Sequence, residues 1–174
     1  MKIIAFDIAR NTGIAIGETG GDPKAWSINL GATHDQRFAK ALQITSKLIR
    51  AHKPDLIVIE DVVGRAKTPH VNVMIIGCVR GVAHDRKVPV KMYDVAEIRK
   101  HFLGRNVTKR DFPNMTQNQS RKAIKALVIK RCQLLNWDVK NDDQADACAI
   151  WDYAASLHRS HQSAPLGGLF NGSK

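Results

Sequence analysis

The stretch IIAFDI at residues 3–8 is a short apolar run, rich in β-branched residues, that contains a single carboxylate. A run of this length and composition predicts a buried strand at the centre of a sheet. A charged Asp7 inside such a strand is costly unless it gains a basic partner or a bound cation. The ordinary alternative is a strand-end aspartate satisfied by turn amides. Asp7 is therefore the first candidate for a functional residue.

Turn signals after this strand predict two antiparallel neighbours. Residues 11–13 (NTG) have turn chemistry, and residues 14–17 begin a second strand that pairs with the first as a hairpin. A further turn at residues 20–23 (GGDP) leads into a third strand over residues 25–30. The chain is thus expected to open with a three-stranded antiparallel meander.

Helices and strands alternate in the remainder of the chain. Asp35 is a plausible N-cap for a helix that runs to about His52, and residues 56–60 (LIVIE) predict a strand buried on both faces. The segments expected after it are a helix over 71–85, a strand at 88–93, a short helix over 95–103, a long mobile loop over 104–119, a helix from Ser120, and a last helix from about Asp143 to His158.

This order of elements predicts an α/β fold with a five-stranded mixed sheet. Three antiparallel strands are followed by two parallel ones, and helices cover both faces of the sheet. Residues 1–158 are expected to form one domain, because a chain of this length buries a core without disulfides or metals. Residues 159–174 are small and polar and are expected to form a flexible C-terminal tail.

The charge of the chain is strongly positive and unevenly placed. Lys and Arg number 27 against 16 Asp and Glu, which gives a formal net charge of +11. Ten of the basic residues lie between Arg99 and Arg131, where Asp111 is the one acid. Such a surface favours a polyanionic partner, although a solvated basic face kept for solubility is the simpler alternative. The residues predicted to bind DNA are Arg99, Lys100, Lys109, Arg110, Arg121, Lys122 and Lys125.

The three cysteines and the N-terminus predict a cellular compartment. Cys78, Cys132 and Cys148 lack CxxC spacing and lie in apolar helical segments, which is typical of free buried thiols in a reducing environment. The first residues do not form a signal peptide, and no apolar run is long enough for a membrane span. A cytoplasmic protein, bacterial or viral in a host cytoplasm, is expected, with no membrane partner.

Two further acidic positions accompany Asp7. Glu60 closes the strand at residues 56–60, although an exposed residue at a strand end would look the same. Asp143 and Asp146 are three residues apart and therefore share one face of the last helix. Aspartates at a helix start are also ordinary capping residues, and Asp142 could cap the helix. Which of the three aspartates belong to the acidic site is therefore open.

The carboxylate face of the last helix is expected to point toward the core. It continues through the residues of the predicted inward stripe, which are Ala149, Ile150, Tyr153 and Leu157. Carboxylates from two strand ends and this helix start would form an all-oxygen site, which suits Mg²⁺ or Mn²⁺ better than zinc. Two such ions activate a water molecule and stabilise the leaving oxygen in phosphodiester hydrolysis. Acidic residues and basic surface together predict a metal-dependent nuclease.

Several short motifs resemble the RuvC-type Holliday junction resolvases, members of the ribonuclease H-like superfamily. They occur in the family's order over most of the chain, about residues 1–157. The matching pieces are Phe6-Asp7-Ile8 with Thr12-Gly13, IVIE at 57–60, IGCVRGV at 76–82, VKMY at 90–93 followed by IRK at 98–100 and Leu103-Gly104, and DQADACA at 143–149.

The resemblance implies a ribonuclease H-like fold, a homodimer and symmetric, Mg²⁺-dependent nicking of four-way DNA junctions, with no nucleotide cofactor. It places Asp7, Glu60, Asp143 and Asp146 at the family's catalytic metal-binding positions and Lys122 near a basic residue that contacts DNA. The family commonly has an aromatic residue where this chain has Val63. Base stacking there must then be absent or supplied by another residue.

Other functions fit the same residues. A relaxed nuclease that cuts flaps, forks or several branched DNA structures would need the same carboxylates and basic surface. A sugar kinase-like or actin-like protein would need two such domains, whereas this chain predicts one. A non-catalytic, basic DNA-binding protein would explain the charge, but its acidic cluster would repel DNA in the absence of metal ions.

Overall fold

The structure of the protein is a computed structural model. It describes residues 1–62 and 69–158. Five strands form one sheet: β1 (Lys2–Asp7), β2 (Asn11–Glu18), β3 (Lys24–Asn29), β4 (Leu56–Asp61) and β5 (Val90–Asp94). Val63 and the expected tail at residues 159–174 lie outside the described residues. None of the helices in the described part of the chain is long and apolar enough to cross a membrane.

The sheet has the strand order β3-β2-β1-β4-β5. β1 pairs antiparallel with β2, and β2 pairs antiparallel with β3. β4 pairs parallel with β1 and with β5, since helices carry the chain back between them. The predicted mixed sheet, with three antiparallel strands followed by two parallel ones, is confirmed.

In the part of the chain that the structure describes, five α-helices cover the two faces of the sheet. They are α1 (His34–His52), α2 (His70–Asp85), α3 (Val95–Leu103), α4 (Gln117–Leu134) and α5 (Asp142–His158). Ile4 and Phe6 of β1 pack in the core that α1 and α2 close, whereas Ile3 and Ala5 pack in the core that α3, α4 and α5 close. Side chains of a strand alternate between faces, so these two cores use alternate residues of the same strands.

Two expected boundaries near the N-terminus are wrong. Residues 11–13 are not a turn but the start of β2, and the turn lies before them, where the Thr12 hydroxyl donates to the Ala9 carbonyl at 2.8 Å. The N-cap of α1 is Thr33, not Asp35. Thr33 and Gln36 form a capping box, which satisfies two amides at once and therefore outcompetes the single bond that Asp35 offers.

The predicted long loop at residues 104–119 is shorter than expected. A 3-10 turn occupies Lys109–Asp111, and α4 begins at Gln117, three residues before Ser120. Thr116 and Gln119 form a second capping box, which extends the helix into polar sequence that has no apolar period. Asp111 closes the turn, because its carboxylate accepts from the Thr108 amide at 2.7 Å and pairs with Arg105.

The predicted inward stripe of α5 is wrong at its far end. Leu157 is 53% exposed, whereas Ala147, Trp151 and Ala154 are fully buried. The side of α5 that carries Trp151 faces the sheet, because the Trp151 ring packs over β2. There its indole N–H donates to the Gly17 carbonyl at 3.3 Å. The three cysteines are free thiols, as predicted, although Cys78 is only half-buried.

Candidate functional site

Asp7 is the last residue of β1 and Glu60 the last but one of β4, the two strands at the centre of the sheet. Phe6 of β1 pairs with Ile59 of β4, so the next residues along the two parallel strands are Asp7 and Glu60. They alternate with Phe6 and Ile59, which face α1 and α2, and they therefore face α5. The strand pairing alone brings these two carboxylates to one edge of the sheet.

The start of α5 brings the remaining aspartates to the same edge. Asn141 caps the helix, because its side-chain oxygen accepts from the Gln144 amide at 3.0 Å, and its amide group donates to the Ser27 hydroxyl at 3.0 Å. The alternative that Asp142 caps α5 is therefore wrong. Since Asn141 performs this role, the carboxylates of the first turn remain available for other contacts.

Gly13 allows α5 to approach the sheet at the height of Asp7. It is the partner of Asp7 across the β1–β2 pair. A β-carbon at Gly13 would overlap the carbonyl oxygen of Asp143 and stand 3.2 Å from the β-carbon of Ala147. A β-carbon at Gly17 would stand 2.8 Å from the Trp151 ring. Because neither glycine has a side chain, α5 packs closely against β2 beside Asp7.

The charge around Asp7 is strongly negative. Burial raises the pKa of the Asp7 carboxyl well above its usual range, and the charges of Asp146 and Glu60 raise it further. Lys125 opposes this effect, and Asp143 adds a smaller increase to the pKa. The charges of three other carboxylates therefore act on Asp7, and Lys125 offsets them only in part.

Asp146 has the second strongly perturbed carboxyl group. Burial raises the pKa of Asp146 to about 6, although the positive charges of Lys125 and Arg99 lower it. The Glu60 carboxylate is close enough to contribute a further increase. Asp146 faces the sheet edge, and its side chain is 21% exposed. The cluster therefore has a partly open side.

Asp142 and Asp143 have opposite electrostatic environments although they are neighbours. A hydrogen bond from Lys125, at 2.5 Å, lowers the pKa of Asp142. Burial and the charge of Asp142 raise the pKa of Asp143, against the effect of Lys125. Burial alone would lower the pKa of Lys125, but its bond to Asp142 and the charges of Asp146 and Asp7 raise it overall. Lys125 thus outweighs the effect of burial on the pKa of Asp142, but it does not outweigh that effect at Asp143.

The chemistry of this cluster fits a hard divalent cation. Its donors are carboxylate oxygens from Asp7, Glu60, Asp143 and Asp146, and the raised pKa values show that a further positive charge would stabilise the ionised forms. Within residues 1–62 and 69–158, no three His, Cys, Asp or Glu side chains already stand in ligand geometry around one point. The side chains must therefore adjust to share an ion.

The basic residues predicted to bind DNA divide into two groups. Arg99 and Lys125 are partly buried, and their charges act directly on Asp146. The exposed group lies on α3, on the 3-10 turn and on α4, and comprises Lys100, Lys109, Arg110, Arg121 and Lys122. Asp111, the one acid of this region, is engaged by Arg105 and by the Thr108 amide. Asp111 therefore does little to neutralise the exposed group.

Two residues that position the site were not identified from the sequence. The turn chemistry of residues 11–13 predicts a turn at Gly13, although a glycine inside a strand often marks a close approach of another backbone. The three aspartates that follow Asn141 are equally common at helix starts, so the sequence does not single Asn141 out, although Asn141-x-x-Gln144 is a helix-start pattern of the same kind as a capping box. Neither residue has a carboxylate that would mark it as a candidate metal ligand.

Comparison with solved structures identifies the fold. RuvC of Thermus thermophilus superposes with a TM-score of 0.63 at 13% identity, over 90% of this chain and 96% of that one. The same protein in complex with a Holliday junction substrate gives a TM-score of 0.64 at 12% identity, over 91% and 96% of the two chains. The chain has the RuvC fold. The sequence itself matches no protein-family model and no curated protein.

The RuvC fold extends to a eukaryotic protein. The yeast mitochondrial Holliday junction resolvase Ydc2 superposes with a TM-score of 0.53 at 12% identity, over 88% of this chain and 78% of that one. The resemblance to RuvC-type resolvases that the motifs indicated is therefore confirmed at the level of the fold, and with it the predicted ribonuclease H-like architecture.

Proposed function

We propose that this protein is a divalent-metal-dependent DNA endonuclease that resolves four-way junctions by paired, symmetric nicks. The observation that carries this proposal is the convergence of Asp7, Glu60, Asp143 and Asp146 in one cation-deficient cluster at the edge of a RuvC fold. A structural role does not explain it, because burial of carboxyl groups with raised pKa values, such as Asp7 and Asp146, destabilises the fold once they ionise. Proteins retain such clusters mainly where the charge is used.

The four carboxylates would hold Mg²⁺, and Mn²⁺ is expected to substitute for it. Divalent ions bound there would supply an activated water molecule and stabilisation of the leaving oxygen. Asp7 and Glu60 would contribute fixed ligands, since both belong to strands in the centre of the sheet. Asp143 and Asp146 contribute adjustable ones from the first turns of α5. Ionisation of Asp7 and Asp146 is a prerequisite, because only carboxylates bind a hard cation well.

The exposed basic residues on α3, the 3-10 turn and α4 support a nucleic-acid substrate. They lie on the helices that cover the α5 side of the sheet, which is the side of the acidic cluster. Phosphate contacts from such residues position a duplex without selecting its sequence. Branched DNA is the favoured substrate, because the T. thermophilus RuvC of the same fold has been captured on a Holliday junction.

A homodimer is part of this proposal, since two symmetric nicks need two active sites. The open groove between α1 and α2 supports it. This groove is lined by Leu42, which is 42% exposed, and by Met74, which is 56% exposed. Gly77 and Gly81 add two positions where a β-carbon would meet only open space. An apolar helix face with such gaps is suited to close packing against a second copy.

The proposal is tested with a synthetic immobile four-way junction, labelled on each strand in turn. Wild-type protein with Mg²⁺ is expected to nick two opposing strands at symmetric positions. Asp7→Asn is expected to abolish cleavage, by a factor of at least about a thousand, because it removes a metal ligand. It should retain or strengthen junction binding, since it removes a negative charge. Asp35→Asn, at an exposed position of α1, serves as the control.

The same substrates distinguish the alternative functions. Cleavage by Asp7→Asn at the wild-type rate would contradict catalysis by this cluster, and binding without cleavage by the wild type would favour a DNA-binding protein. Equal cleavage of flaps, forks and junctions would favour a relaxed branched-DNA nuclease. The residue Val63, where the resolvases commonly have an aromatic, is the observation that favours this second function.

A further inference from the structure

Lys125 lies inside the acidic cluster and already contacts two of its members. Its ammonium nitrogen is 2.5 Å from Oδ2 of Asp142 and 3.8 Å from Oδ2 of Asp146. The lysine side chain is 42% exposed, so it reaches the cluster from its open side. The protein thus brings one positive charge of its own to carboxylates that repel one another.

We propose that Lys125 is an internal cation that competes with the divalent metal for this cluster, and that Asp142 anchors the lysine instead of binding metal. This inference rests on the proposed function, since it takes Asp7, Glu60, Asp143 and Asp146 as the metal ligands. It assigns separate roles to three aspartates of one helix start. Lys125 and Asp142 are positioning residues in this scheme.

Helix geometry separates the two roles. Asp142 and Asp146 are four residues apart and therefore stand on one face of α5, where the ammonium group of Lys125 reaches both. Asp143 lies on the side of Gly13, since its carbonyl oxygen fills the space beside that glycine. Gly13 is the strand partner of Asp7. The charge of Asp143 acts on Asp7 at the sheet edge, whereas the Asp142 carboxylate is bonded to Lys125 of α4.

The distances indicate which contact a metal ion would weaken. Asp142 is in hydrogen-bond contact with Lys125, whereas Asp146 is only within ion-pair distance. The ammonium group can therefore leave Asp146 and keep its bond to Asp142 when a divalent ion binds. Its remaining positive charge nearby still repels the ion, so Lys125 lowers the metal affinity of the cluster. In the metal-free protein the same charge reduces the repulsion among the carboxylates.

The test measures Mn²⁺ binding to the full chain without DNA, by isothermal titration calorimetry. Lys125→Met is expected to bind Mn²⁺ about tenfold more tightly than the wild type, because the competing charge is gone. Lys125→Arg should bind like the wild type. Asp142→Asn should stay within about threefold of the wild type, whereas Asp143→Asn should lose about tenfold or more. Lys47→Met, at an exposed position of α1, is the matched control and should change nothing.

A second measurement covers the case in which Lys125→Met folds poorly. Without metal this variant is expected to melt at a lower temperature than the wild type, and Mn²⁺ should raise its melting temperature by more than it raises that of the wild type. A merely structural lysine would lower the melting temperature without enlarging the Mn²⁺ effect.

The inference is overturned if Lys125→Met binds Mn²⁺ with wild-type affinity, or if Asp142→Asn loses as much affinity as Asp143→Asn. No Mn²⁺ binding by any of the proteins would overturn it together with the metal cluster. The expected order of affinities without cleavage of branched DNA supports this inference and contradicts the proposed nuclease. The two proposals therefore fail on different measurements.

Discussion

Single carboxyl groups at the sheet edge have protonation states that depend on their neighbours. Asp7 and Asp146 are partly buried near Glu60, and both have raised pKa values although Lys125 opposes the shift at each and Arg99 opposes it at Asp146. A fold that holds such groups without metal is less stable when they ionise. Metal binding and proton release are therefore coupled in this cluster.

The stability of the metal-free protein is expected to fall as the pH rises through about 6. The pKa of Asp146 is about 6 in the folded chain, against a usual value of 3.8. Between these values the folded state binds more protons than the unfolded state, so the stabilisation present at low pH is lost as the pH rises through the folded-state pKa. Urea unfolding at about pH 5 and about pH 7.5 measures this difference in wild-type protein.

The variant Asp146→Asn is expected to show a smaller loss of stability between the same two pH values, because the amide does not titrate. Saturating Mg²⁺ at the higher pH should stabilise the wild type more than this variant. Asp35→Asn is again the control, at an exposed position of α1. Equal pH dependence in the wild type and Asp146→Asn would show that Asp146 is not the group responsible.

Among the elements, α5 has the greatest influence on the site, because its distance from the sheet decides whether Asp143 and Asp146 reach Asp7. That distance is set by Gly13, Gly17 and the buried alanines of the helix. Small residues on both surfaces allow the helix backbone to lie closer to the sheet than larger side chains would permit. The site is thus built by packing as well as by its carboxylates.

Gly13→Ala is expected to destabilise the protein by about 1–3 kcal/mol and to weaken metal binding, because the added methyl group overlaps the backbone of Asp143. Chemical denaturation and Mn²⁺ titration measure the two effects. Gly21→Ala is the matched control, since a β-carbon there would meet its nearest neighbour, the Glu18 carbonyl, at an ordinary 3.5 Å. Wild-type stability and metal affinity in Gly13→Ala would contradict the proposed close seating of α5.

The sequence predicted the elements that have a clear apolar period. The five described strands, their order along the chain and most helix positions follow from such patterns. Asp7 could be recognised as a candidate site residue because it interrupts an apolar strand. The capping boxes at Thr33 and Thr116 moved two helix starts, since polar side chains there override the apolar period. The ion pair of Lys125 with Asp142 joins α4 to α5, and sequence periodicity does not report such contacts between elements.

For the molecule as a whole, the acidic cluster and the groove between α1 and α2 belong to opposite faces of the sheet. The cluster faces the helices α3, α4 and α5, whereas the groove is formed by the helices of the other face. A dimer formed through the groove would therefore leave both clusters accessible to DNA. This separation is what two coordinated nicks require.

Met74→Glu is expected to convert the proposed dimer into a monomer, because it places a charge in the apolar groove. Light scattering coupled to size-exclusion chromatography measures the mass, and junction cleavage should change from paired to single nicks. Leu134→Glu is the matched control, since Leu134 is a 67% exposed leucine on α4, away from the groove. A monomeric wild type, or a dimeric Met74→Glu, would contradict this interface.

The positions of the carboxylates along the chain have a consequence for biosynthesis. Asp7 and Glu60 leave the ribosome early, whereas Asp143 and Asp146 belong to α5, which is made last of the described elements. The central strands also cannot be covered on one face until α5 packs over β1 and β2. An unfinished chain therefore lacks half of the proposed metal ligands, so the proposed nuclease activity would be withheld until translation has passed α5.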